Sequence, residues 1–461
     1  MSRSQNTGAT PENSSFRNVI VASLVGTTIE WYDFLLYGSL AALVFNQIFF
    51  TGTDPLIGTL ASLSTYAVGF FARPLGGILF GHFGDRLGRK KLLLFSLLLM
   101  GVGTIGVGLV PDYNTIGFWA PVLLVILRIC QGVAVGGDWG GAVLLATEHA
   151  KPGKRGFAAS WPQIGANVGN SLAVITILIL SSTLSQEAFL SWGWRVPFIV
   201  ATVIVLIGFW IRTAVAEPEV FLREKAAKDA AIASGAEQRK VPLGVVLRSH
   251  RRHLLIVIGA HIAPNILYYA VTTFSLVYLS NLGVNRNLSL SAVVIASLIG
   301  AVAIPFFGRW SDRVGRKTPY MIGAALMIVF AFAYFPILEL KSFWPVTAIL
   351  TAGLLIQGIM YGIQASYFAE LFPTSVRYTG MSTGAQFATT ISGGLTPIIA
   401  TALLAAFHSW VPIAIYLAIA ALITLIALAA APETYKNDLA AGDASPVDRP
   451  RVDLAEVAPG T

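Results

Sequence analysis

The chain has a single cysteine in 461 residues, and it has little charge. Cys130 lies inside an apolar run, so no disulfide framework is possible. Asp, Glu, Lys and Arg make up only 12% of the residues, against roughly 25% in a soluble domain. So few charges cannot coat a soluble protein of this length, and lipid must be the solvent for much of the surface. No zinc-ligand spacing, phosphate-binding loop or Ser-His-Asp pattern occurs outside the apolar runs, so a metal site and an energy source on the chain are not expected. No short apolar stretch ends in a small-residue cleavage site, and no removable leader is expected. One motif, Gly101-Val-Gly103-Thr-Ile-Gly106, has dinucleotide-binding spacing. It sits inside an apolar helix without a preceding strand, where glycines serve helix packing instead.

Apolar length is what the chain has in quantity. Hydrophobic residues make up 55% of it, and the mean hydropathy is +0.71. A membrane span needs about 20 apolar residues. Twelve runs qualify, near 19–45, 58–82, 91–110, 117–146, 156–181, 194–213, 254–280, 288–309, 319–338, 344–368, 379–406 and 410–431. The expected fold class is therefore an all-α membrane protein of twelve transmembrane helices in two six-helix halves. The segments are an N-terminal tail 1–18, a first bundle 19–213, a polar central loop 214–253, a second bundle 254–431 and a tail 432–461. The last of these has no apolar period and reads as disordered.

The formal charge is +8, with 31 Lys and Arg. Of these, 26 fall in segments on one side of the alternating spans, three (Arg195, Arg286, Lys341) fall on the other, and Arg73 and Arg128 lie within spans. The positive-inside rule then places both termini in the cytoplasm. Basic charge spread over short loops, not gathered on one face, does not read as a nucleic-acid surface.

The two halves repeat. Gly81-His-Phe-Gly-Asp85-Arg86-Leu-Gly88-Arg89-Lys90 follows span 2, and Gly308-Arg-Trp-Ser-Asp312-Arg313-Val-Gly315-Arg316-Lys317 follows span 8. Glu148 and Arg155 are seven apart after span 4, as are Glu370 and Arg377 after span 10. A duplicated six-helix unit is a common basis for alternating access.

The repeated loop motif resembles the signature of the major facilitator superfamily. Glu30-Trp-Tyr-Asp33-Phe, Arg73-Pro-Leu-Gly-Gly, Arg128-x-x-Gln-Gly-x-x-x-Gly-Gly-Asp138-Trp-Gly-Gly and Gly193-Trp-Arg195-Val-Pro-Phe narrow the resemblance to its metabolite:proton symporter family, whose shikimate-type members the first half resembles most. The resemblance implies the major facilitator fold and gradient-driven symport of a small organic acid. Shikimate-like or di- and tricarboxylate substrates are favoured, the proton is the coupling ion, and no cofactor is expected. The expected setting is the bacterial inner membrane, with the carrier working as a monomer. A proton-coupled exporter or antiporter of the same fold remains an alternative, as does a proline or betaine uptake carrier. The tail lacks the heptads of a coiled coil, which weighs against the last.

Glu30, Asp33, Arg73, Arg128 and Asp138 lie within spans. A charge at mid-bilayer costs about 2.5–3.5 kcal/mol, so these residues are expected to face the interior or a wet cavity. Glu30 and Asp33 share a helix face with Phe34 and Tyr37. Asp33 is the expected proton carrier, Glu30 the alternative, and Arg128 the charge that meets the acid in one state and leaves it in another. Proton-coupled sugar porters have a similar acid in span 1 and arginine in span 4. Arg128 also suits a substrate carboxylate, while Arg73 reads equally as a second carboxylate contact or a helix tie.

Substrate contacts are expected from Tyr37, Gln131, Asp138, Trp139, Gln163, Asn167, His261, Tyr268, Gln357, Tyr361 and Gln364. Asn170, Asn265, Tyr269 and Gln386 are further polar positions, and any one of the set reads equally as interhelical glue. His261 reads as a hydrogen-bonded neutral histidine. A cytoplasmic latch is expected from Gly81, Asp85, Arg86, Gly88, Arg89, Glu148 and Arg155 in the first half. Asp312, Arg313, Gly315, Arg316, Glu370 and Arg377 are its counterparts in the second. In such a latch Asp85 accepts hydrogen bonds from the start of a neighbouring helix, and Arg89 pairs with an acid such as Glu148.

Overall fold

A computed structural model describes residues 11–436, apart from positions 53, 88, 137, 149, 152, 215–241 and 375. The side chains of residues 11–19, 22, 77, 78, 80–94, 138, 142, 145, 209–214 and 242 also lie outside the description. The expectations for Gly81, Asp85, Arg86, Gly88, Arg89 and Asp138 therefore fall beyond it, as do most of the central loop and of the tail.

Among the described residues the chain forms twelve long helical segments. They are α1 (Pro11–Leu43), α2 (Pro55–Leu87), α3 (Arg89–Leu109), α4 (Trp119–Glu148), α5 (Arg155–Thr183) and α6 (Val196–Ala214) in the first half. The second half supplies α7 (Arg251–Asn281), α8 (Arg286–Val314), α9 (Lys317–Leu338), α10 (Phe343–Glu370), α11 (Arg377–Phe407) and α12 (Val411–Ala430). Among the described residues nine helices are long and apolar enough to cross a membrane, and Phe95–Leu109 and Gly193–Gly208 add shorter apolar helices. Large apolar side chains such as Phe306, Val329 and Ile426 are exposed on the outer surface, as expected of a protein solvated by lipid.

The helices run past the apolar runs that announced them. α2 continues to Leu87 and α8 to Val314, so most of the repeated motif is a helix end rather than a loop. A helix loses nothing by extending into the headgroups, because its backbone is already hydrogen-bonded internally. α8 stops at Gly315, whose φ of +101° suits glycine, and Arg316 alone then precedes α9. The other irregularities sit at mid-length. α4 is interrupted at Gly136, and α7 and α11 each widen into one π turn, at Ala270–Phe274 and Thr390–Gly394. Such turns shift the face a helix presents and concentrate at functional sites.

Two seams join the halves. α5 lies along α8, with Gly156 against Gly308 at one end. Asn170 Nδ2 donates to Ser297 Oγ (3.0 Å) in the middle, and Ser181 Oγ donates to Asn287 Oδ1 (2.7 Å) at the other end. α2 meets α11, where Thr390 Oγ1 donates to the Phe70 carbonyl (3.1 Å) and Gly393 and Gly394 lie under the Phe70 ring. Small residues let the backbones approach, and packing has to supply association because lipid offers no hydrophobic drive.

A Cβ added at Gly308 would stand 2.5 Å from the Gly156 carbonyl oxygen, whereas one at Gly244 would meet nothing within 4 Å. Gly308→Val is therefore expected to cost about 1–3 kcal/mol and to lower the unfolding midpoint of the detergent-solubilised protein. Gly244→Val is expected to leave that midpoint unchanged.

Candidate functional site

α1 turns Glu30 and Asp33 toward the interior, where they are 8% and 1% exposed. Thr104 Oγ1 from α3 donates to Asp33 Oδ1 at 2.6 Å, and Gln131 Nε2 from α4 donates to Asp33 Oδ2 at 2.9 Å. The other end of the same amide, Gln131 Oε1, accepts from Arg128 Nη1 at 2.9 Å. The expected pairing of Asp33 with Arg128 is thus made through an amide bridge, and among the described residues no direct ion pair joins the two. Gly103 makes the bridge possible, since a Cβ there would stand 2.6 Å from Gln131 Cγ. The glycine run with nucleotide-motif spacing is, as its apolar setting implies, a packing face.

Both intramembrane arginines lie on aromatic rings. The Arg128 guanidinium is 4.4 Å from the Phe34 ring centre and 4.2 Å from that of Tyr37. Arg73 is 4.0 Å from Phe34 and 4.9 Å from Phe70. Cation–π contact strengthens when both groups are desolvated, so the rings replace part of the lost water. Tyr37 also shares a hydrogen bond with Thr65 Oγ1 at 2.6 Å.

Beside this cluster, between the halves, lies a cavity of about 20 Å³, room for a water but little more. The first half lines it with Glu30, Trp31, Arg73 and Trp139; the second lines it with His261, Asn265, Tyr361, Ala385, Gln386 and Thr389. His261 Nδ1 bonds Gln364 Oε1 (2.9 Å), and Nε2 bonds Thr389 Oγ1 (3.0 Å). Asn265 Nδ2 donates to the same hydroxyl at 3.1 Å. An amide oxygen can only accept, so Nδ1 carries the proton and the Thr389 hydroxyl donates to Nε2. These partners suit a neutral histidine.

Of the expected substrate contacts, Trp139, His261 and Tyr361 reach the cavity. Gln163 and Gln364 stand behind them. Gln163 Oε1 accepts from Trp139 Nε1 (2.8 Å) while its Nε2 donates across the halves to the Tyr361 carbonyl (3.1 Å). Tyr268 also crosses, donating to the Ala166 carbonyl at 3.1 Å. Arg128, Tyr37 and Gln131 belong to the charge cluster, not the cavity wall. Asn167 lies on the α5–α8 seam beside Gly300, and Gln357 is buried away from the cavity wall. Arg73, undecided from sequence, is on the wall, and its charge inside a span was the available signal. Trp31 and Thr389 gave no such signal, because an aromatic or a threonine inside a span is ordinary.

At the basic end of the bundle the second-half motif builds a cluster. Asp312 accepts from the Gly156 and Phe157 amides at 2.8 and 2.9 Å. These belong to the first turn of α5, whose own cap residue Lys154 supplies no side-chain bond. A carboxylate there is favoured by the helix dipole as well. Arg316 bonds Asp312 (2.8 Å) and, in a fork, Glu370 (3.0 and 3.2 Å). Burial works against its charge, but Glu370 and Asp312 more than offset that and hold its pKa above the usual value. Glu433, unforeseen in the sequence, accepts from the Arg316 and Lys317 amides at 2.9 and 3.0 Å, pinning the segment after α12 to the start of α9. Across the halves, Arg377 Nη1 lies 3.5 Å from Glu148 Oε1. Arg155 begins α5, Gly315 ends α8, and Arg313 is exposed.

A family model for the Major Facilitator Superfamily matches residues 23–397. The inner membrane metabolite transport protein YhjE of Escherichia coli K12 is 43% identical over 436 residues, covering 93% of this chain and 97% of that one. The shikimate transporter of the same strain is 40% identical over 414 residues, covering 89% and 93%. Among solved structures, the proton:xylose symporter XylE superposes with a TM-score of 0.68 at 19% identity, covering 92% of this chain and 98% of that one. At that identity the likeness is one of fold.

Asp312→Ala would leave two α5 amides without an acceptor and remove one partner of Arg316. The expected loss is about 1–3 kcal/mol, read as a lower unfolding midpoint. Arg313→Ala, at an exposed position, is expected to leave the midpoint in place.

Proposed function

The chain belongs to the Major Facilitator Superfamily and is a multi-pass membrane transporter, and from that premise we propose that it carries a small organic acid inward together with a proton. The setting is a bacterial inner membrane, with both termini in the cytoplasm. The basic end of the bundle then faces the cytoplasm, in keeping with the bias of 26 basic residues to three. The relative named as a shikimate transporter favours a hydroxylated acid.

The observation that carries the reading is the buried chain Asp33–Gln131–Arg128 beside a cavity shared by both halves. An acid that shares an arginine in one state and loses it in another changes its proton affinity between the states. The cavity beside this cluster is lined by both halves, so the rocking that opens it admits water to the cluster and alters the setting of the acid. Closure on the cytoplasmic side rests on Asp312 at the start of α5 and on the Glu148–Arg377 pair, both of which cross the halves. Breaking them frees that end to open.

Uptake of a panel of labelled acids into proteoliposomes tests this. With an inward proton gradient, wild type is expected to accumulate at least one acid. Asp33→Asn is expected to abolish accumulation while keeping exchange of that acid across the membrane, because exchange needs no net proton movement. Accumulation by Asp33→Asn equal to wild type would remove Asp33 from the coupling. Wild-type uptake indifferent to the gradient would remove coupling altogether.

A further inference from the structure

Two intramembrane arginines carry free donors, and they differ in where they sit. On Arg73 and on Arg128 alike, Nε and Nη2 have no hydrogen-bond partner. These two nitrogens share one edge of the guanidinium, the edge that takes both oxygens of a carboxylate side-on. On Arg128 the backbone of α2 closes that edge. A Cβ at Gly69 would stand 3.1 Å from Nη2 and 3.2 Å from Nε. Arg73, by contrast, is 3% exposed and lines the cavity between the halves.

Leaving such donors unanswered in the interior is costly, more so on a charged group. The side chain is nevertheless held in place. Phe34 and Phe70 lie 4.0 and 4.9 Å beneath the guanidinium, and Trp31 lies 5.8 Å from it. A cation fixed by rings in a cavity wall, with two donors of one edge unanswered, is preorganised for a planar anion. Across the cavity Gln386 Oε1 is likewise buried without a partner, and an amide oxygen is answered only by a donor such as a hydroxyl. Among the described residues Arg73 is the one basic side chain on the wall besides His261, whose two nitrogens are engaged.

We propose that Arg73, and not Arg128, anchors the substrate, its Nε–Nη2 edge taking the single carboxylate of a small hydroxylated acid whose hydroxyl donates to Gln386. This rests on the reading of the chain as an organic-acid carrier, and it narrows the substrate to a hydroxy monocarboxylate. A tricarboxylate would bring two further charges to a wall with no second cation to meet them. Arg128 keeps its place in the Gln131 bridge and touches no substrate.

Equilibrium binding to the purified full-length protein in detergent, with no proton gradient, tests the assignment apart from the coupling. The probes are shikimate as a cyclic hydroxy monocarboxylate, its methyl ester, lactate, citrate, and 3-deoxy and 5-deoxy shikimate analogues. Shikimate is expected to bind and the ester, which lacks the charge, is not. Arg73→Gln is expected to weaken binding on the order of a hundredfold, with partial recovery in Arg73→Lys and an unliganded unfolding midpoint near that of wild type. Gln386→Leu is expected to weaken shikimate while narrowing its advantage over one of the deoxy analogues. Arg73→Gln binding as wild type does would overturn the assignment. So would binding lost in Arg128→Gln and kept in Arg73→Gln, or citrate preferred over the monocarboxylates, or no acid binding to wild type. Binding that depends on Arg73 beside uptake that ignores the proton gradient would leave the anchor standing and refute the symport reading.

Discussion

A charge inside a bilayer has to be answered by protein, and the first half of this chain holds four described ones within reach of each other: Glu30, Asp33, Arg73 and Arg128. The packing around them follows from that requirement. Thr104 and Gln131 supply donors to Asp33, Phe34 and Tyr37 supply ring faces to the arginines, and Gly69 and Gly103 leave out the side chains that would displace them. Four helices are thereby fixed against one another by polar contacts that lipid cannot replace. Only Glu30 and Arg73 of the four reach the cavity, which separates the groups that meet a ligand from those that respond to it.

The second half answers with neutral groups. His261, Asn265, Gln386 and Thr389 bring hydrogen-bonding capacity to the cavity without charge. Its helices α7 and α11 carry the π turns just past these residues, where a helix bends and re-aims most readily. Its charge sits at the helix ends, where water is near, with the Asp312–Arg316–Glu370 cluster at the basic end. A duplicated unit has thus divided its work, with ionic chemistry in one copy and shape and hydrogen bonding in the other.

Much of this was legible in the sequence. Apolar length located the helices, and the cost of buried charge singled out Glu30, Asp33, Arg73 and Arg128. A motif acid capping a neighbouring helix was expected at Asp85, and Asp312 of the second copy is seen capping α5, although that motif proved to be mostly helix and its turn only Gly315 and Arg316. What sequence leaves open is how depth and rotation combine. Arg73 and Arg128 are equivalent by residue type and burial, yet Arg73 lines the cavity and Arg128 lies off its wall against Gly69 of α2. Gln131 reads as a wall residue and is a bridge, because its role depends on a glycine in a different helix. Glu433 lies past the last apolar run, and nothing local marks it as the cap of α9.

The most direct test of proton coupling is the pH of a weakly buffered medium outside proteoliposomes when an accepted acid is added with no gradient imposed. Proton symport is expected to alkalinise the medium as the acid enters, in proportion to the acid taken up. Entry of the acid with no change in external pH would contradict it.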